Sequence, residues 1–143
     1  MNWIYGVAIR EEDGDFVVTV RDLPEVVTSG SSLTEALELA ADAIEVVIGM
    51  KLEDEHLLPQ PTPVAPHEYA IPLEPRLATK ASIYALWKAA GITKTELARR
   101  LGRNEAEVRR ILDPDHGTKL DQLQEAAMAL GARLVVGTVP LAA

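Results

Sequence analysis

The densest run of residues able to do chemistry lies between Arg76 and Leu112, where nine basic side chains stand against three acidic ones. A local excess of cations of that size can meet phosphates. Inside it, Thr93 to Leu112 has the spacing of two short helices joined by a tight turn. Leu97, Ala98 and Leu101 fall on an inner face, and the small Ala98 lets the second helix come close. Gly102 takes the turn, and Val108 and Ile111 lock the second helix. The exposed positions of that helix are then polar and able to face a major groove.

The other available chemistry is that of carboxylates. Metal-dependent RNA cleavage needs several of them converging on one cation. Asp13, Asp15, Asp22 and Glu38 are present, but Asp13 and Asp15 belong in or beside a hairpin turn and Asp22 precedes Leu23-Pro24 at a strand end. Nothing in the pattern brings three of them to one face. His56, His67 and His116 are scattered, without metal-ligand spacing. No nucleophilic serine motif and no glycine-rich phosphate loop occurs. The absence of Cys excludes disulfides, thiolate zinc sites and thiol catalysis. The sequence therefore implies a non-enzyme, with no catalytic residue, no metal and no cofactor.

The elements that must carry these residues fit into 143 residues, enough for one ordinary domain or two small ones. Charge divides the chain. Residues 1–68 hold 3 basic and 14 acidic side chains, whereas residues 69–143 hold 11 and 8, so the overall −8 conceals a net of −11 and a net of +3. Trp3–Arg10 and Phe16–Val20 alternate as strands around Glu11-Glu12-Asp13-Gly14, a hairpin signature. Val26–Thr28 is a short third strand, and Ser32-x-x-Glu35 is a capping box opening a helix to about Lys51. That helix has an apolar stripe (Leu33, Leu37, Ala40, Ile44, Val47, Ile48) and an acidic face of Glu35, Glu38, Asp42 and Glu45. The Pro-rich stretch from Leu58 to Pro66 reads as extended chain or linker, and Tyr69–Leu73 as a returning edge strand. Helices follow over Leu77–Ala90, from Thr93 to Leu101, from Asn104 to Leu112 and over Lys119–Leu130, the last capped by Thr118. Arg133–Val139 reads as a final strand, which needs a partner and could find one in a second copy. The expected fold class is α+β: a β-β-β-α-β domain over 1–75 and an all-α domain over 76–143.

Two resemblances add to this reading. Residues 78–131 resemble the helix–turn–helix domain of the lambda-repressor-like (Xre) regulators. The resemblance implies that Glu105, Ala106 and Arg110 face the groove and that Lys94, Arg103, Asn104 and Arg109 lie where phosphate contacts are usual. Arg110 would read a guanine edge and Glu105 would accept from a cytosine amino group. Two departures are the acids Glu105 and Glu107 near DNA and Asp113-Pro114 in place of a small turn. Residues 3–74 are similar to HicB-family antitoxins through Asp13-Gly14-Asp15-Phe16, Arg21-Asp22-Leu23-Pro24, Thr34-Glu35-Ala36-Leu37 and Leu58-Pro59, in that order, although Glu25-Val26 departs from the usual pair after the Pro.

That second resemblance implies a partial ribonuclease-H-like fold and a partner, a small basic HicA toxin that cleaves mRNA. The antitoxin would occlude the toxin and repress the shared operon as a DNA-bound homodimer or higher homo-oligomer, assembled through its C-terminal domain. Opposite charge would steer the toxin onto Glu11, Asp13, Asp15, Asp22, Glu38 and Asp42, with the Glu53–Glu55 run contributing. The alternative is a stand-alone transcriptional regulator whose N-terminal domain senses a ligand or oligomerises, and a third reading is a small metal-dependent ribonuclease that would depend on Asp22 and Glu38. No run approaches the ~18 apolar residues of a membrane span, and the N-terminus has no signal-peptide pattern, so a cytoplasmic location is expected.

Overall fold

The structure, a computed structural model, describes residues 1–141. Its elements run β1 (Ile4–Glu12), β2 (Asp15–Val20), β3 (Val27–Gly30), α1 (Leu33–Glu53), β4 (Tyr69–Pro72), α2 (Pro75–Ala90), α3 (Lys94–Leu101), α4 (Glu105–Leu112) and α5 (Leu120–Ala129). The class is α+β, and the N-terminal order is the expected β-β-β-α-β. The chain divides into two compact units. The first comprises Met1–Met50, Pro59–Glu74 and a short stretch from Val139, and the second comprises Lys51–Leu58 and Pro75–Thr138. No helix among the described residues is long and apolar enough to cross a membrane.

In the first unit the sheet order is β3-β2-β1-β4, with antiparallel pairing throughout. The β1–β2 ladder runs to Glu12 opposite Asp15. The turn is thus only Asp13-Gly14, both at positive φ (52° and 84°), as a two-residue type I′ hairpin requires. Trp3, Tyr5 and Val7 from β1 and its approach, with Val18 and Val20 from β2, are buried. On α1 the buried line is Ala36, Ala40, Ile44, Ile48 and Leu52, a spacing of four, with Leu33, Leu37 and Val47 on its flanks. The Ser32 hydroxyl accepts the Glu35 amide at 3.1 Å. The Glu35 carboxylate does not reach back to close the box, because it accepts the Ser31 hydroxyl instead.

The Pro-rich stretch is tied down rather than loose. Tyr5 Oη donates to Pro59 O, the Thr62 amide and hydroxyl both donate to Asp22, and Arg21 donates to Thr62, Pro63 O and Glu68.

The second unit packs Ala81, Ile83, Tyr84 and Trp87 of α2 with Leu97, Ala98, Val108, Ile111, Leu123, Ala126 and Ala127. Pro75 opens α2, where a missing N–H costs nothing. Thr93 and Asn104 cap α3 and α4 through hydrogen bonds to the Glu96 and Glu107 amides, and Gly102 ends α3 in the left-handed region at φ 64°.

Two expectations fail here. Thr118 does not cap α5: the capping position is Lys119, without a side-chain bond, because the Thr118 hydroxyl is taken by Lys80 Nζ at 2.6 Å. The strand over Arg133–Val139 does not form. Residues 132–141 are irregular, since no described strand lies beside them to pair their backbone, and the Leu134 amide turns to Gln124 Oε1.

Gly30 supplies a test of the sheet–helix contact, because a Cβ there would meet the backbone of Ala36 at 2.6 Å. Gly30→Ala is expected to lower the unfolding free energy by about 1–3 kcal/mol, the usual cost of overpacking, read as a drop in urea midpoint at unchanged slope.

Candidate functional site

Helix α4 turns Val108, Ile111 and Leu112 inward and leaves Glu105, Ala106, Arg109 and Arg110 on the opposite side, as the sequence places them. Helix α3 precedes it across Gly102, Arg103 and Asn104. The basic residues of this surface are mostly engaged. Arg109 donates to Glu105 at 2.6 Å, and Glu105 also accepts from Thr95. Arg103 donates to Glu125 at 2.9 Å and lies 3.5 Å from Glu107. Arg99 grips Glu96 through two nitrogens, with Arg100 on the same carboxylate. Lys94 pairs with Glu55 and sits over the Trp87 ring. Asn104 has its oxygen committed to the Glu107 amide at 2.9 Å. Among the described residues Arg110 has no ion-pair or side-chain hydrogen-bond partner. It lines a groove of about 260 Å³ with Arg103, Glu107, His116, Thr118 and Gln122. The acids that looked out of place beside DNA are thus the intramolecular partners of the cations. Exposed pairs of this kind contribute little, so phosphate can replace the carboxylates at small cost.

The acidic candidates of the first unit are spread over three elements, β1, β2 and α1, and the turn between the strands. Glu11 and Asp15 are exposed on the hairpin strands, Asp13 is in the turn, and Glu38 and Asp42 are exposed one helical turn apart on α1. Beside them Glu45 is pushed above the ordinary carboxylate range, by burial first and then by Asp42 and Glu74. Asp22 stands apart from these. Its two oxygens hold Thr62, so Asp22 pins the Pro-rich segment. Among the described residues no group of three or more His, Asp or Glu side chains is placed to hold a metal.

Sequence reasoning missed Lys80. Its side chain is buried, and its ammonium donates to Arg110 O and Ile111 O, each at 2.8 Å, and to Thr118 Oγ1. Burial pushes it down to about 8, with Asp113 opposing. The available signal was a lysine on the same helical face as Tyr84 and Trp87, four and seven residues on.

A family model described as HicB_like antitoxin of bacterial toxin-antitoxin system matches residues 3–82. The chain belongs to the HicB-like antitoxin family. Antitoxin HicB of Escherichia coli (strain K12) is 36% identical over 122 residues, covering 85% of this chain and 88% of that protein. Antitoxin HicB 1 of Photorhabdus laumondii is 35% identical over 136 residues, 94% and 86% of the two chains. Antitoxin HicB of Pseudomonas fluorescens is 31% identical over 133 residues, 92% and 91% of the two. The HicB likeness thus extends through α3, α4 and α5, well beyond the family model's limits. Membership in a family of antitoxins of bacterial toxin-antitoxin systems implies a toxin partner.

The α3 carboxylate supplies a pH test. Arg99 and then Arg100 hold Glu96 down to about 2 from an ordinary 4.5. A depressed carboxylate stabilises the fold above its unfolded value, and that contribution disappears as pH falls from about 4.5 through about 2. The helical circular-dichroism melt of the wild type is therefore expected to drop more steeply over that window than the melt of Glu96→Gln. Parallel pH profiles would show that the three-residue ion cluster contributes nothing.

Proposed function

We propose that this protein is the antitoxin of a type II toxin–antitoxin pair, that its first unit occludes a small basic HicA-type mRNA-cleaving toxin, and that its second unit binds operator DNA as a homodimer. The observation that carries this reading is the extended similarity to proteins named Antitoxin HicB, over 85–94% of the chain. The charge supports it. The first unit presents Glu11, Asp13, Asp15, Glu38 and Asp42 to solvent, with Glu45 crowded among acids, and a basic partner relieves that repulsion. An acidic surface laid over a basic RNA-binding face competes directly with phosphate.

For DNA, α4 is the groove-entering helix of this reading. Arg110 is its unpaired guanidinium for a base edge, and Lys94, Arg103 and Arg109 exchange carboxylates for phosphates. One eight-residue helix spans only a few base pairs, so two copies are needed for an operator-length site. The C-terminal segment supports a second copy, because Val135 is 91% exposed and Val136 84% exposed, on backbone that pairs with no described strand. Pairing between two such segments would cover both side chains and backbone.

Two variants separate the halves of the proposal. Arg110→Ala is expected to weaken binding to the duplex upstream of its own reading frame by roughly 5- to 150-fold, the 1–3 kcal/mol of a base contact, while toxin capture is unchanged. Glu38→Lys combined with Asp42→Lys is expected to do the reverse. Pull-down at native expression with mass spectrometry reads the first partner, and fluorescence anisotropy reads the second. Recovery of no basic partner of under about 100 residues would overturn the toxin half.

A further inference from the structure

We propose that Lys80, which touches no DNA, is the positioning residue that sets the sequence discrimination of α4. The proposal rests on the DNA-binding reading above and adds a residue to it.

Helix α4 has eight residues, so its last carbonyls have no partner within the helix. Lys80 reaches from α2 to supply one. Its three N–H donors meet three acceptors: Arg110 O, Ile111 O and Thr118 Oγ1, at 2.8, 2.8 and 2.6 Å. The hydroxyl of Thr118 lies a further 3.3 Å from Arg110 O and 3.0 Å from His116 Nδ1. One ammonium therefore joins α2, the end of α4 and the segment leading to α5. A positive charge is also favourable at a helix C-terminus.

Lys80 is only 3% exposed, and among the described residues it forms no salt bridge. Burying an ammonium is expensive even with the Asp113 carboxylate favouring its charged form, and an apolar side chain of similar length would fill the space without that cost. What an apolar replacement lacks is directionality. The two carbonyls that Lys80 holds belong to Arg110 and Ile111. Ile111 packs inward, whereas Arg110 sends its side chain to the exposed face. Fixing the Arg110 backbone fixes the origin of the one guanidinium on α4 free to read a base.

Phosphate contacts place a protein on DNA, and base contacts specify. Losing a group that aims a base contact should lower discrimination between sequences. It should leave the number of phosphate contacts, and hence the salt dependence, as it was.

The chain contains no Cys, which makes an atom-level test possible. Lys80→Cys creates a unique thiol. Alkylation with bromoethylamine under unfolding conditions, followed by refolding, restores an ammonium at the same reach, with sulfur in place of one methylene. Alkylation with iodoacetamide gives a neutral control. Each full-length protein is titrated with the duplex upstream of its reading frame and with a scrambled duplex of the same composition, at several salt concentrations. The unmodified and neutral forms are expected to lose about tenfold or more in the ratio of the two affinities, the scale of one disturbed base contact, with an unchanged salt slope. The aminoethylated form is expected to recover the ratio.

If Lys80→Cys does not fold, Thr118→Val keeps the lysine, removes one of its acceptors, and should lower the same ratio by roughly a third of that effect on a logarithmic scale. A folded variant that discriminates as well as the wild type overturns the proposal, as does a ratio that the restored ammonium does not rescue. A wild type that fails to distinguish the two duplexes overturns the DNA-binding reading itself, a result separable from the failure of Lys80 alone.

Discussion

An α-helix of eight residues leaves half of its backbone donors and acceptors at its ends, and two such helices carry the candidate DNA surface. The second unit is organised by the need to satisfy those ends. Thr93 and Asn104 each take an amide at the start of a helix. At the end of α3, Gly102 enters the left-handed region, so that its own amide and that of Arg103 turn back to Arg99 O and Ala98 O. At the end of α4 no glycine does this work. The Asp113 amide reaches Arg110 O at 3.3 Å, and the Lys80 ammonium adds bonds to Arg110 O and Ile111 O. The ends of α4 are held by Asn104, Asp113 and Lys80, and a two-turn helix could not present its exposed polar residues without that support.

The first unit solves a related problem with charge. Its Pro-rich stretch has few amides to offer and joins no sheet, yet it is anchored by Asp22, Arg21 and Tyr5. The Glu68 carboxylate, almost wholly covered, receives Arg21 and the Ala65 amide and is held below the ordinary carboxylate range, the backbone bond contributing most. Acids used this way are withdrawn from the surface. The acids left outside, on the hairpin and on α1, form the exposed acidic excess of this unit.

On the second unit the formal excess of cations overstates the positive field. Glu55, Glu96, Glu105, Glu107 and Glu125 each lie against a lysine or arginine. A surface so paired is weakly attractive to phosphates at long range. On the DNA-binding proposal, complementarity would arise only at contact, with phosphates taking the place of carboxylates, and the unengaged Arg110 would then matter more than the total charge.

The alternation of Trp3, Tyr5 and Val7, the Asp13-Gly14 turn, and the caps at Ser32, Thr93 and Asn104 are local patterns. Each is decided within a few residues, so the order of strands and helices was legible in the sequence. The same holds for the family, whose motifs are short and ordered, and for the inner and outer faces of α4. What the sequence could not state was the partner of each polar side chain. Asp22 read as a surface acid and holds Thr62, 40 residues away. Thr118 read as a helix cap and serves Lys80, 38 residues away. The strand expected over Arg133–Val139 has the right residues and no described neighbour. Local propensity determines which elements exist, because it acts through the chain itself. Tertiary structure alone decides which hydrogen bonds a polar group makes, because its choice depends on which distant backbone ends arrive unsatisfied beside it.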